Sequence, residues 1–228
     1  MALGNVIITG GASGLGAATV GAVTRHGGTA LVIDKKDPES DVAFVQADLA
    51  DTEAVDAAVR ALAELVDGQI HGVFTAAGID SCGKLADVAT KDWERVVHVN
   101  LLGTVAVIRS ALPYLKTTSG RIVTCASTLG IKAVSDATAY CASKFGVVGF
   151  SRALAAELAG QVGVTTLIPG GMHTPFFDGR DEQYKPPPDA KLNKPQDVAE
   201  TVVFALSQPA GCEVREMVVC ASTESSWP

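Results

Sequence analysis

The sequence has no block of basic residues. Lys and Arg number 18 against 25 Asp and Glu, a net charge of −7, which argues against a nucleic-acid backbone as partner. It has no C-x-x-C pair. Its five cysteines, Cys82, Cys125, Cys141, Cys212 and Cys220, are odd in number and several sit in apolar runs; that reads as reduced core thiols of a cytoplasmic protein. No uninterrupted apolar run reaches 18 residues, so no membrane span is expected. Met1-Ala2-Leu3-Gly4-Asn5 is neither basic nor long enough for a signal peptide before strand-like residues begin. The histidines, His26, His71, His98 and His173, are scattered without H-E-x-x-H spacing, and no metal site is expected. No G-x-S-x-G elbow surrounds Ser127, which argues against a hydrolase. There is no internal repeat and no break in composition.

What is present is a chain of 228 residues, 47% apolar, with 23 glycines. That is enough to bury a substantial core, and it suits a sheet with many tight turns. Val6-Ile7-Ile8-Thr9 reads as a buried strand. Gly10-Gly11-Ala12-Ser13-Gly14-Leu15-Gly16 follows at once, then a helix from Ala17 to about His26. Strand, glycine turn and helix, in that order, are what phosphate binding requires. Gly10 allows the sharp turn, Gly14 lets backbone amides approach a pyrophosphate, and Gly16 lets helix and strand pack closely. The second strand, Ala30-Leu31-Val32-Ile33, ends in Asp34, 18 residues after Gly16. A carboxylate there accepts from both ribose hydroxyls and repels a 2′-phosphate, which favours NAD over NADP. Lys35 and Lys36 work against that discrimination.

The alternation continues. Strands are expected at 43–47, closed by Asp48-Leu49, and at 72–75, entering Ala76-Ala77-Gly78. Thr52 to Leu65 is an amphipathic helix capped by Asp51 or Thr52. A long helix is predicted over 92–115, kinked near Asn100 because Gly103 lowers its propensity. Ile122 to Ala126 forms a strand leading to Ser127, a helix spans 139–158, and a strand at 164–168 meets Pro169-Gly170-Gly171. Residues 172–193 read as a loop or lid, stiffened by three prolines at 186–188. Phe176, Phe177 and Tyr184 suggest an apolar compartment within it, or equally packing of the lid itself. Lys194-Pro195 opens a last helix, and 217–219 is a last strand. The pattern predicts one α/β domain over 1–228, a parallel sheet with helices on both faces.

Tyr140-Cys141-Ala142-Ser143-Lys144 carries the chemistry. At helical spacing, i and i+4 place the phenol and the ammonium on one face. A free tyrosine titrates near about 10, and a cation beside it favours the phenolate, drawing it toward neutral pH. Ser127, at a strand end, supplies a second hydroxyl for a substrate oxygen. Cys141 points about 100° away from Tyr140 and reads as a small core residue.

Taken together, Thr9-Gly10-x-x-x-Gly14-x-Gly16, Asp34, Asp48, Asn100, Ser127, Tyr140, Lys144 and Pro169-Gly170 with Thr174 resemble the short-chain dehydrogenase/reductase family over nearly the whole chain. The resemblance implies a doubly wound, Rossmann-like sheet of seven strands in the order 3-2-1-4-5-6-7. It also implies NAD(P)-dependent oxidation of an alcohol or reduction of a carbonyl. By the same resemblance Tyr140 is the general acid-base group and Ser127 holds the substrate oxygen. Lys144 holds the nicotinamide ribose and lowers the Tyr140 pKa, and Asn100 supports a proton relay. Ser13, Leu15, Leu49, Ala76, Ala77 and Gly78 join the cofactor set; Asp48 meets the adenine edge, and Met172 and Thr174 face the carboxamide. The two long helices imply a homodimer or homotetramer. Two departures stand out: Ala76-Ala77-Gly78 where the family has Asn-Ala-Gly, and a C-terminus running through Cys220-Ala221-Ser222-Thr223 to Trp227-Pro228, which weakens the expected C-terminal dimer contact. A non-catalytic NAD-binding regulator on the same fold, or an NADPH-preferring carbonyl reductase, is the alternative.

Overall fold

Strand and helix alternate from the first residues of the chain. The structure, a computed structural model, describes residues 3–226. In order it contains β1 (Asn5–Thr9), α1 (Gly14–Arg25), β2 (Thr29–Asp34), β3 (Ala43–Gln46), α2 (Thr52–Glu64), β4 (Gly72–Thr75), α3 (Thr90–Val97), α4 (Thr104–Thr118), β5 (Arg121–Cys125), α5 (Thr138–Glu157), β6 (Gly163–Pro169), α6 (Pro195–Leu206) and β7 (Glu216–Val219). The seven strands form one sheet in the order β3-β2-β1-β4-β5-β6-β7, parallel at every pairing.

Side-chain alternation on the central strands explains the two covered faces. Ile7, Leu31 and Ile33 point into a core shared with Val55, Leu62, Ile108, Leu115 and Leu154 of α2, α4 and α5. Val6, Ile8, Ala30 and Val32 point the other way, onto Val20, Val23, Val198 and Val202 of α1 and α6. Successive residues of a strand face opposite sides, so a run apolar at every position demands helices on both. Strand order reverses between β1 and β4, and a crevice opens there beyond the strand ends, the usual ligand position in such sheets.

The expected helix over 92–115 runs from Thr90 to Thr118, but not as one regular helix. α3 and α4 are joined by a π-helical turn, His98–Gly103, where a simple kink near Asn100 was anticipated. Gly103 accounts for part of it: a Cβ there would lie 2.7 Å from the Leu49 carbonyl oxygen. Thr90–Thr118 is long and apolar enough, by length and composition, to cross a membrane. Here Val96, Val107, Ile108, Ala111 and Leu115 are buried within the protein.

Two connections lie at the crevice. Residues 172–193 form a loop with short 3-10 turns at Pro175–Phe177 and Glu182–Tyr184. Its base is closed where the His173 amide donates to the Asn193 carbonyl at 2.9 Å and the Asn193 amide to Gly171 at 3.0 Å. The C-terminal segment folds back over the same end. Lys132 Nζ donates to the Ser225 carbonyl at 3.0 Å, and the Ser226 and Thr128 hydroxyls lie 2.6 Å apart. The ending Trp227-Pro228 falls outside the described residues.

Candidate active site

The glycine turn sets the first wall. Gly10 has φ +73°, and a Cβ on it would come 2.8 Å from the Ala77 Cα; a Cβ on Gly16 would lie 2.0 Å from the Gly10 carbonyl oxygen. No side chain fits either place, so a tight turn over 10–13 joins β1 to α1, whose first turn begins at Gly14 rather than at the anticipated Ala17. The helix start therefore faces the crevice with unpaired amides and no acidic residue in its first turn, a ready seat for a phosphate group. Thr174, after β6, packs against Gly14 from the opposite side.

Asp34 is fixed at the end of β2. Its Oδ2 accepts from the Ala12 amide and its Oδ1 from the Lys36 amide, both at 3.0 Å. Lys35 turns away to Asp48, Nζ to Oδ2 3.1 Å, and Arg95 Nη2 reaches the same oxygen at 2.8 Å. Burial pushes the Asp48 carboxyl up, but hydrogen bonds from Arg95, the Ala50 amide and Lys35 outweigh it and hold it at about 2.

The catalytic candidates meet across the crevice. Ser127 leaves β5 in an extended conformation, and its Oγ accepts from the Leu129 amide at 3.1 Å. Tyr140 and Lys144 lie one turn apart on α5, with Nζ 5.6 Å from the phenol ring centre. The expected lowering of Tyr140 by Lys144 is not what the structure shows. Lys144 is 3% exposed and donates to the Cys125 carbonyl at 2.8 Å, and burial pushes its ammonium down. Burial likewise pushes the Tyr140 phenol up; Asp80 adds to this, while the Ser127 hydroxyl and Arg180 oppose it. Desolvation wins over the neighbouring cation because it disfavours both charged forms at once.

Asn100 does not line the crevice. From the π turn its Oδ1 accepts from the Ile79 amide and its Nδ2 donates to the Ile79 carbonyl, both at 2.8 Å, with a further bond to Ser143 Oγ at 3.1 Å. It ties the loop after β4 to α5, directly beneath Gly78. The other sequence-selected residues, Gly10, Ser13, Gly14, Leu15, Gly16, Asp34, Asp48, Leu49, Ala76, Ala77, Gly78, Ser127, Tyr140, Lys144, Pro169, Gly170, Met172 and Thr174, all line one cleft of about 1720 Å³.

Comparison with known proteins decides what this cleft belongs to. The family model for short chain dehydrogenases matches residues 4–185. The chain belongs to the short-chain dehydrogenase/reductase family. It is 33% identical over 226 residues to a hydroxy(phenyl)methylsuccinyl-CoA dehydrogenase subunit of Thauera aromatica, covering 90% of each chain. The aldohexose dehydrogenase of Thermoplasma acidophilum, solved ligand-free, superposes with a TM-score of 0.86 at 25% identity, covering 94% of this chain and 91% of that one. The alcohol dehydrogenase of Thermococcus sibiricus, solved with 5-hydroxy-NADP, shares the fold at a TM-score of 0.85 and 22% identity, covering 96% and 97%. This protein is thus an NAD(P)-dependent oxidoreductase acting on CH–OH and C=O groups.

Within the family frame, the departures take physical form. Where Ala76 lacks an amide, the Ala77 backbone N–H donates to Thr9 Oγ1 at 3.2 Å, and β1 and β4 remain tied at their ends. The lid is not purely an apolar compartment. Phe176 lies on Tyr140, ring centres 5.6 Å apart, but Tyr184 is not among the cleft residues. Instead Arg180 stacks over Phe176 and Phe177 at 4.6 and 4.8 Å. The sequence reading missed Asp80, Arg95, Arg180 and Glu224 as cleft residues. Glu224 Oε2 accepts from the Gly171 amide at 2.9 Å, bringing the tail into the site. None carries a motif; for Arg180 the one available signal was the run of charged residues, Asp178, Arg180, Asp181 and Glu182, beside the aromatics of the loop.

Proposed function

We propose that the protein moves a hydride between NAD(H) and a secondary alcohol or its ketone, with Tyr140 carrying the proton. What carries this reading is the convergence of Ser127, Tyr140 and Lys144 on the cleft that also holds the glycine turn and Asp34. The dinucleotide fits the residues present: the first turn of α1, Gly14 to Gly16, lines the cleft with no acidic side chain and no side-chain cap on its amides. When bound, the nicotinamide accepts or supplies the hydride. Ser127 holds the substrate oxygen by its hydroxyl. Tyr140 gives a proton to that oxygen in reduction and takes it in oxidation. Its raised proton affinity makes it a donor through the neutral range, so oxidation gains as pH rises and reduction falls once the phenol ionises. Lys144, which lines the same cleft, would hold the nicotinamide ribose.

NAD is preferred over NADP. Asp34 is held by the Ala12 amide and lines the cleft, where its charge would repel a 2′-phosphate, and Lys35 is engaged by Asp48. Calorimetric titration should give NAD(H) an affinity at least about tenfold above NADP(H), about 1.4 kcal/mol; equal affinities would remove the preference. An NAD-reduction screen over hydroxyacyl-CoA, hydroxysteroid, polyol and simple secondary alcohol panels tests the reaction itself. Leu102 in the π turn and Phe145 on α5 remain 43% and 45% exposed, which supports a homodimer or homotetramer through the long helices. Five free cysteines suit a cytoplasmic setting.

A further inference from the structure

The cleft contains a buried charge pair that the roles above do not use. Asp80 lies in the loop after β4, its side chain 6% exposed. The Ser81 amide donates to its Oδ1 at 2.7 Å and the Cys82 thiol to its Oδ2 at 3.2 Å. Burial and the Asp80 charge push the Cys82 thiol up to about 11, so it stays a donor. Arg180 comes from the lid and is 15% exposed. Its Nη2 sits 3.1 Å from the same Oδ2, in charge contact but off the line of a hydrogen bond. The guanidinium lies over Phe176 and Phe177, whose rings meet edge to face at 5.5 Å, and Phe176 rests on Tyr140. Contact therefore runs unbroken from the β4 loop through the lid to the phenol.

A lid needs no buried ions to close. Apolar side chains of the same volume serve as well or better, because each buried ion loses several kcal/mol of hydration, about what the pair regains. What ions do supply is a field, weakly screened in a site withdrawn from water. We infer that Asp80 and Arg180 are positioning residues that hold Phe176 over Tyr140 and, by their opposed charges, set the pH at which the phenol gives up its proton. This rests on the reading of Tyr140 as the proton carrier. Asp80 favours the protonated phenol and Arg180 the ionised one. The other groups facing Tyr140 are Lys144 on its own helix, and Cys125 and Ser127 at the end of β5; they are common to every variant below.

The test uses the full-length, NAD-loaded protein with ring-labelled tyrosine. Its Tyr140 signal is assigned by its loss in Tyr140→Phe and followed against pH by carbon NMR, beside the pH profile of alcohol oxidation. Asp80→Asn keeps the shape and removes the anion, so the midpoint should fall by about half a unit or more. Arg180→Met keeps the stem and removes the cation, so the midpoint should rise by a similar amount. Arg180→Lys, which keeps the charge, should stay with the wild type. A lid that merely excludes water opens in both neutral variants, and both midpoints then fall together as the phenol is wetted. Movement in the same direction, or none, overturns the inference. Should Arg180→Met not fold, Arg180→Gln, also neutral, takes its place: a midpoint above the wild type supports the inference, and one below it or unchanged overturns it. Turnover that survives in Tyr140→Phe would instead defeat the proton role, while the NMR midpoints still judge the charge pair separately.

Discussion

At the scale of single residues, charge is governed by what surrounds it more than by what the motif contains. The spacing of Tyr140 and Lys144 put them on one face of a helix, as on α5, but that spacing is weak alone, and the residues around it in the family resemblance singled the pair out. The direction of their titration was not legible, because burial and the Cys125 carbonyl depend on β5, brought close only by the fold. Asp48 is the opposite case: an acidic residue at a strand end whose partners, Lys35 and Arg95, lie 13 and 47 residues away in sequence. Its folded value of about 2 lies below its ordinary 3.8. Its contribution to stability is therefore present above about 3.8 and lost as pH falls toward about 2. Thermal melts of wild type and Asp48→Asn should differ most at pH 6, the gap narrowing as pH falls below about 3.8 and closing only below about 2. A gap that stays constant across that range would mean the ion pairs contribute nothing.

Among the elements, those with strong local signals matched closely. Apolar runs placed every strand within a residue or two, and Asp51 caps α2 as anticipated, accepting from the Glu53 and Ala54 amides. The π turn at His98–Gly103 was not readable, because its cause is tertiary: Asn100 must reach Ile79, and Gly103 must clear the Leu49 carbonyl. Such turns mark places where a helix is widened to bring a side chain to a partner. Asn100→Ala leaves the Ile79 N–H and C=O without their partners, so urea unfolding should show a loss of about 2 kcal/mol. A change below about 0.5 kcal/mol would mean that water serves Ile79 equally well and the turn owes nothing to the amide. The Asp80–Arg180 contact joins two loops 100 residues apart in sequence, and loop sequence carries no periodicity from which such a meeting follows.

For the whole molecule, a parallel sheet covered on both faces was legible because apolar runs fix strands and amphipathic runs helices; the strand order came from the family resemblance, not from the runs. The surface was harder to read. Leu102 and Phe145 lie exposed on adjoining elements of the long-helix face. Light scattering at micromolar concentration should return a multiple of the 23.4 kDa chain mass; a monomer mass would remove the helix-to-helix assembly. The reaction is tested most directly by one variant. Tyr140→Phe keeps the ring against Phe176 and deletes only the group that moves the proton. With a substrate from the alcohol panel, its turnover should fall by roughly 10²–10⁴-fold while NAD affinity stays within a factor of about two. A Tyr140→Phe enzyme that oxidises the alcohol at near the wild-type rate, with the same rise toward alkaline pH, would contradict the assignment of Tyr140 as the proton carrier.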